Sequence, residues 1–196
     1  RYPEAYPNID WQKLLVENFA MDYRANLSVS GGNKVVKYFT SASYLYEGDI
    51  LKSKPKFYGE DWKPGYNNSR FNFRSNVDIN VTRSTTLAVN LSAIYTDRSQ
   101  PATNQSNYNG QILNALYITP ANAYMPRYSN GVWGYCNAVT NGYYNPLQFL
   151  TTMGYEKIRK TNVISDFVLT QKLDFITPGL SVMGKFSFDN VFSSKQ

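Results

Sequence analysis

Residues 71–81 read FNFRSNVDINV. Phe71, Phe73, Val77, Ile79 and Val81 take the odd positions, and only Ser75 interrupts them. Asn72, Arg74, Asn76, Asp78 and Asn80 take the even ones. A period of two is that of an extended chain, whose successive side chains point to opposite faces. The stretch therefore predicts a long β-strand with one apolar face and one wholly polar face.

The same division recurs around it. Residues 22–30 and 35–49 flank a turn at GGNK. Pairing Val29 with Val36 and Leu27 with Tyr38 collects Tyr23, Ala25, Ala42, Tyr44 and Tyr46 on the same face. Arg24, Asn26, Ser28, Lys37, Ser41 and Ser43 fall on the other, with Phe39 and Leu45 as exceptions. Gly31-Gly32-Asn33 is expected to provide the positive φ values of a tight hairpin. The opening stretch pairs with residues 85–97 around TRST. Setting Val81 against Leu87 aligns Ile79 with Val89, Val77 with Leu91 and Phe73 with Tyr95. Residues 162–175 and 179–192 form a third pair around ITPG, with Leu173 opposite Leu180 and Phe167 opposite Phe186.

Short turns close each pair, whereas the pairs are separated by residues 50–69 and 99–160. Connections as long as the second are usually functional in a compact domain. Short helices are expected within 10–20, capped by Asp10, near 110–118, and near 145–153. In the last, Asn145 is the cap and Pro146 the first helical residue.

Composition narrows the function. Of 196 residues, 16% are aromatic, including 17 Tyr, and only 17% are charged, against about 25% in an average soluble domain. The net charge of +6 comes from scattered Lys and Arg, without the basic stripe of a nucleic-acid surface. The absence of His removes His-based triads and His–metal clusters. Cys136 stands alone, with no basic residue beside it to activate a thiol. Glu47, Asp49, Glu60 and Asp61 have no spacing suited to paired-carboxylate hydrolysis, and Asp97 and Asp189 are isolated near strand ends. No enzyme, cofactor or metal is expected. The chain begins at Arg1 without a visible signal peptide and ends just past a strand-like run, so it reads as a piece of a longer protein.

Predicted strands of about 13 residues would reach about 43 Å, whereas a tilted membrane strand needs only about 9–11 residues. Alternation alone also fits a soluble sandwich, apolar side in. Strand length, the alternation of short turns with long loops, and the lack of charge on the apolar faces favour a membrane barrel. In lipid every backbone polar group must be paired, so a barrel must close. Six strands fall short of the smallest usual barrel, about eight. The fold expected is all-β: an arc of about six long antiparallel strands from a larger transmembrane β-barrel.

YPNIDWQKLL (6–15), NLSVSGGNKVVKYFTSASYLYEGDI (26–50) and FNFRSNVDINVT (71–82), in that order, resemble the SusC/RagA family of TonB-linked outer-membrane transporters. MPRYSNGVWG (125–134) and NPLQFLTTMGY (145–155) are similar to further pieces of the same region. The resemblance covers essentially all of 1–196 and implies a partial receptor barrel, lacking its plug and remaining strands. It implies a 22-stranded barrel in a bacterial outer membrane, of the Bacteroidetes type, importing glycans or peptides. It also implies a SusD-like surface lipoprotein over the loops and energy delivered through TonB. GGNK, TRST and ITPG would then be periplasmic, and 1–21, 50–69 and 99–160 extracellular.

Residues 99–160 carry Tyr108, Tyr117, Tyr124, Tyr128, Trp133, Tyr135, Tyr143, Tyr144 and Tyr155. Aromatic faces stack on sugar rings while neighbouring amides, here Asn130, Asn137 and Asn141, bond hydroxyls. Packing of the loop against itself is the competing role for these side chains. Tyr128, Trp133 and Tyr135 are the residues expected to face a ligand or partner. Arg24, Lys37, Arg70, Arg74 and Asp78 are expected on the polar face, lining the lumen or holding the plug. A secreted all-β carbohydrate-binding module and an outer-membrane adhesin or structural barrel remain the alternatives.

Overall fold

A computed structural model describes residues 4–52, 65–102, 108–135, 145–152 and 154–196. Six strands run β1 (Asp22–Gly32), β2 (Val36–Glu47), β3 (Asn67–Asn80), β4 (Thr85–Pro101), β5 (Tyr155–Lys172) and β6 (Ser181–Lys195). They form one open antiparallel sheet in the order β1-β2-β3-β4-β5-β6, each strand beside its sequence neighbour. Among the described residues three short helices lie outside the sheet: α1 (Trp11–Leu15) before β1, and α2 (Tyr108–Ile118) and α3 (Pro146–Thr152) between β4 and β5. Helix α1 covers only part of the predicted 10–20. The chain divides into two compact units.

The sheet unit comprises 22–47, 68–98 and 158–196. Its strands reach 17 and 18 residues in β4 and β5, far beyond the usual 5–6. The β2–β3 register sets Val36 against Ile79, Tyr38 against Val77, Ala42 against Phe73 and Tyr44 against Phe71. Alternation thus places whole apolar rows on one face. Ser75, the interruption in the opening stretch, lies opposite Thr40, another polar residue on this face. Their hydroxyl oxygens are 3.0 Å apart, one donating to the other.

The hairpins test the sequence reading one by one. β5 and β6 pair as expected, Phe167 opposite Phe186, with Leu173 N donating to Leu180 O at 2.8 Å. The β3–β4 turn is at the expected TRST: Thr82 Oγ1 accepts from Thr85 N at 2.9 Å. The β1–β2 register differs. Val29 faces Thr40 and Leu27 faces Ala42, four residues further along β2 than expected, with the faces unchanged. Gly31 and Gly32 belong to β1 rather than to the turn. The hairpin closes instead at Asn33, whose N–H donates to Val36 O at 2.7 Å. Its side-chain Oδ1 accepts from Val35 N and Val36 N at 2.8 and 2.9 Å.

The other unit comprises 1–21, 48–67 and 99–157. All the buried hydrophobic side chains among the described residues lie here, including Trp11, Leu15, Leu51, Ile112, Leu116, Tyr124, Leu147 and Leu150. Trp11 packs edge-on against Tyr124, ring centroids 5.5 Å apart, and its Nε1 donates to Pro120 O at 3.3 Å. Residues 16 and 51 form a bridge, and Lys52 N donates to Leu15 O at 2.8 Å. Each fully buried Leu or Ile contributes about 1.5–3 kcal/mol over exposure.

The sheet unit is the reverse. None of its described large apolar side chains is buried, and many stand exposed: Leu27 at 70%, Phe186 at 65%, Phe192 at 60% and Val182 at 57%. No second sheet is present among the described residues. The long strands therefore have no buried core of their own, while their connections do.

Candidate functional site

The polar face is built by register. Across β1, β2 and β3, Arg24, Leu45 and Arg70 form one row. The next rows are Asn26, Ser43 and Asn72, then Ser28, Ser41 and Arg74. Asn72 Nδ2 donates to Ser43 Oγ at 2.9 Å, and Asn72 Oδ1 accepts from Arg70 Nε at 3.0 Å. The strand backbone thus aims the Arg70 guanidinium through an amide fixed to the neighbouring strand. Arg24, Arg70 and Arg74 line a cavity of about 490 Å3 together with Asn26, Ser41, Ser43, Asn72 and Ser92. No carboxylate is among its lining residues within the described part of the chain. Lys37 lies apart, near the hairpin turn, directly opposite Asp78. Of the five polar-face candidates, the cavity brings together the three arginines and leaves Lys37 and Asp78 outside.

The second candidate surface is a small hairpin in the loop unit. Arg127 and Trp133 bridge as antiparallel partners, and Tyr128 N donates to Val132 O at 2.8 Å. Gly131, at φ 86°, supplies the left-handed turn residue. Ser129 N donates to Glu4 Oε1 at 2.8 Å, anchoring the tip. The Arg127 guanidinium lies 5.2 Å from the Trp133 ring centre, a cation–π distance. Tyr135 is 59% exposed, whereas Tyr128 and Trp133 are half-buried, and Trp133 packs against the core. Tyr124 is itself core. A cavity of about 430 Å3 lies beside the hairpin, lined by Ile9, Asp10, Lys13, Met125, Pro126, Arg127 and Leu147. Tyr128, Trp133 and Tyr135 are not among its lining residues.

The base of this hairpin depends on Asn145, buried at 1% exposure. Its Oδ1 accepts from Leu147 N and Gln148 N at 3.0 and 3.2 Å, capping α3. Its Nδ2 donates to Pro126 O and Gly134 O at 2.8 and 3.1 Å. The cap was legible from Asn-Pro; the clamp on two distant carbonyls was not.

The acidic residues serve structure. Glu47 Oε2 accepts from Asn68 Nδ2 at 2.7 Å. Asp49 accepts from Leu51 N at 3.0 Å and Tyr66 N at 2.7 Å, stapling two stretches of the loop unit. Burial raises the Asp49 pKa above 3.8, and these backbone bonds oppose the rise. Asp97, read as isolated, pairs with Arg159 at 3.6 Å. Glu60, Asp61, Cys136, Asn137, Asn141, Tyr143 and Tyr144 lie outside the described residues, as does the side chain of Tyr108.

A single open sheet of long two-faced strands, with its apolar face uncovered, is consistent with a segment of a larger β-barrel. The chain is similar to TonB-dependent receptor P26 of Formosa agariphila, at 32% identity over 80 residues. That stretch is 41% of this chain and 7% of the receptor's length. The chain thus spans only a small part of the length of the receptor it resembles. No protein-family model matches the chain.

Proposed function

We propose that this chain is an arc of the membrane-spanning barrel of a TonB-dependent importer of the SusC/RagA type. The observation that carries the reading is the inversion of burial: connections with a packed core, strands with none. A sheet whose apolar side chains stand uncovered in water is an aggregation hazard, whereas in lipid the same face is at home. Polar contacts bracket the apolar span of β4 and β5. Thr85 Oγ1 donates to Gln171 Oε1 at 2.6 Å towards one end, and Asp97 meets Arg159 towards the other. These contacts are equally far apart on the two strands, and at barrel tilt that length rises about 30 Å, a bilayer's hydrocarbon thickness.

On this reading residues 1–21, 50–69 and 99–160 are extracellular, and the hairpin turns are periplasmic. Tyr128, Trp133 and Tyr135 face cargo or a SusD-like lipoprotein, and Arg24, Lys37, Arg70, Arg74 and Asp78 face the lumen. TonB acts through parts of the receptor outside this chain, and the cargo is a glycan or another oligomeric nutrient such as a peptide. The likeness to a TonB-dependent receptor supports the receptor class, and the sequence resemblance alone supports the finer assignments. The carbohydrate-module alternative requires the apolar face to be covered by protein.

Single cysteines at Val89, Leu91 and Asn90, placed in the full-length receptor with Cys136 replaced, test the reading. In outer membranes, Val89→Cys and Leu91→Cys should react with a lipid-soluble maleimide and resist a membrane-impermeant one. Asn90→Cys should show the opposite preference. Ready water-phase labelling at Val89 and Leu91 would refute the membrane arc. Uptake that collapses with a protonophore separates importer from adhesin.

A further inference from the structure

Three other cations of this sheet stand near carboxylates. Lys185 meets Asp166 at 3.2 Å, Arg159 meets Asp97 at 3.6 Å, and Lys37 lies opposite Asp78 in register. The wall of the 490 Å3 cavity differs: its described lining residues include three arginines and no Asp or Glu. Arg24 and Arg70 sit two strands apart in one row, and Arg74 lies on the same face of β3. Three like charges on one wall repel, a cost relieved when an anion lies between them.

We propose that this cavity binds the anionic groups of an acidic oligosaccharide, so that the wall selects cargo by charge. This deepens the importer reading and rests on it. The planar guanidinium fork matches the paired oxygens of a carboxylate or sulfate ester. Asn72, bonded to Ser43 Oγ, holds Arg70 by its Nε and leaves the terminal N–H groups for a ligand. Asn26, Ser41, Ser43 and Ser92 both donate and accept hydrogen bonds, as sugar hydroxyls do. An acidic peptide would share the charge but offers few hydroxyls to this bed.

The test uses the full-length receptor, purified in detergent, with oligogalacturonate, neutral maltooligosaccharide and oligoglutamate as probes. Calorimetry should show oligogalacturonate binding at least about ten-fold tighter than the neutral chain, an advantage that shrinks with salt. Exchanging Arg24, Arg70 and Arg74 together for Gln should remove that advantage, while exchange for Lys retains part of it. Lys37→Gln, outside the cavity, should change affinity less than about two-fold. Heat-modifiable gel mobility verifies that each variant folds.

Equal affinity for charged and neutral chains, unaltered by the triple Gln exchange, overturns the proposal. So does preference for oligoglutamate. If the arginines instead hold a carboxylate of the receptor's own chain, the triple exchange lowers the melting temperature and leaves oligogalacturonate affinity unchanged, which also overturns it. Labelled probes given to cells separate the two levels. Energised uptake indifferent to cargo charge sinks the selectivity and leaves the importer standing. Absence of any energised uptake sinks both.

Discussion

Replacing Asn145 separates two jobs held by one buried amide. Ala removes the acceptor for Leu147 N and Gln148 N and the donor to Pro126 O and Gly134 O. Loss of an N-cap costs about 0.5–2 kcal/mol. A buried carbonyl left without a partner costs about 1–3 kcal/mol. Pro126 O retains a long bond from Gly134 N at 3.4 Å, which softens that term. The expected total for Asn145→Ala is roughly 2–4 kcal/mol of local stability. Ser keeps the cap and loses the clamp, and should cost roughly half as much. Asp keeps both acceptors but turns an oxygen towards two carbonyls, and should be no better than Ala. Amide hydrogen exchange on the full-length receptor reads the parts separately. Asn145→Ala should speed exchange at Gly134, Leu147 and Gln148 together; Asn145→Ser should speed it at Gly134 alone. If Asn145→Ala left all three amides as protected as wild type, the amide would not hold hairpin and helix together.

Val89→Asp should impair outer-membrane assembly far more than Asn90→Asp, because at mid-bilayer on the lipid face of a barrel strand Lys or Arg costs about 2–4 kcal/mol and Asp somewhat less; heat-modifiable mobility of equal expressers measures this. Thr40→Val or Ser75→Val alone should destabilise the barrel by about 1–3 kcal/mol by orphaning a hydroxyl on the apolar face. The double change should recover most of the loss, which denaturant midpoints in lipid vesicles will show. Asp49 carries a raised pKa, so the folded state binds its proton more readily than the unfolded one. Its contribution is therefore fullest below pH 3.8 and declines as pH rises through the raised value. The stability advantage of wild type over Asp49→Ala, followed by Trp11 fluorescence with the other tryptophans replaced, should shrink along that rise.

The faces of β1, β2 and β3 were legible because alternation is a strong signal, and Phe71–Val81 carried it almost unbroken. The β5–β6 register was legible because Leu173 and Leu180 abut the turn directly. For β1–β2, alternation fixed only the parity, and two glycines that look like a turn lie in a strand. A Cβ on Gly31 would stand 2.7 Å from Tyr38 Oη, so the small residue makes room for an aromatic ring across the pair. That four-residue difference had a price at the site. It set Arg24 against Ser41, whereas the structure places it in the row of Arg70. In the loop unit, chemistry gave no hint that Tyr124 is core and Tyr135 exposed, since both follow from contacts far along the chain.

The packed core in the connections has a bearing on assembly. A slip of two residues between strands keeps every side chain on its proper side, so lipid is blind to it. The Trp11–Pro120 contact, closed across 109 residues, and the Val16–Leu51 bridge flanking the first hairpin are not. Each joins one particular pair of positions within the loop unit, so the loop core supplies a specificity of pairing that alternation by itself lacks.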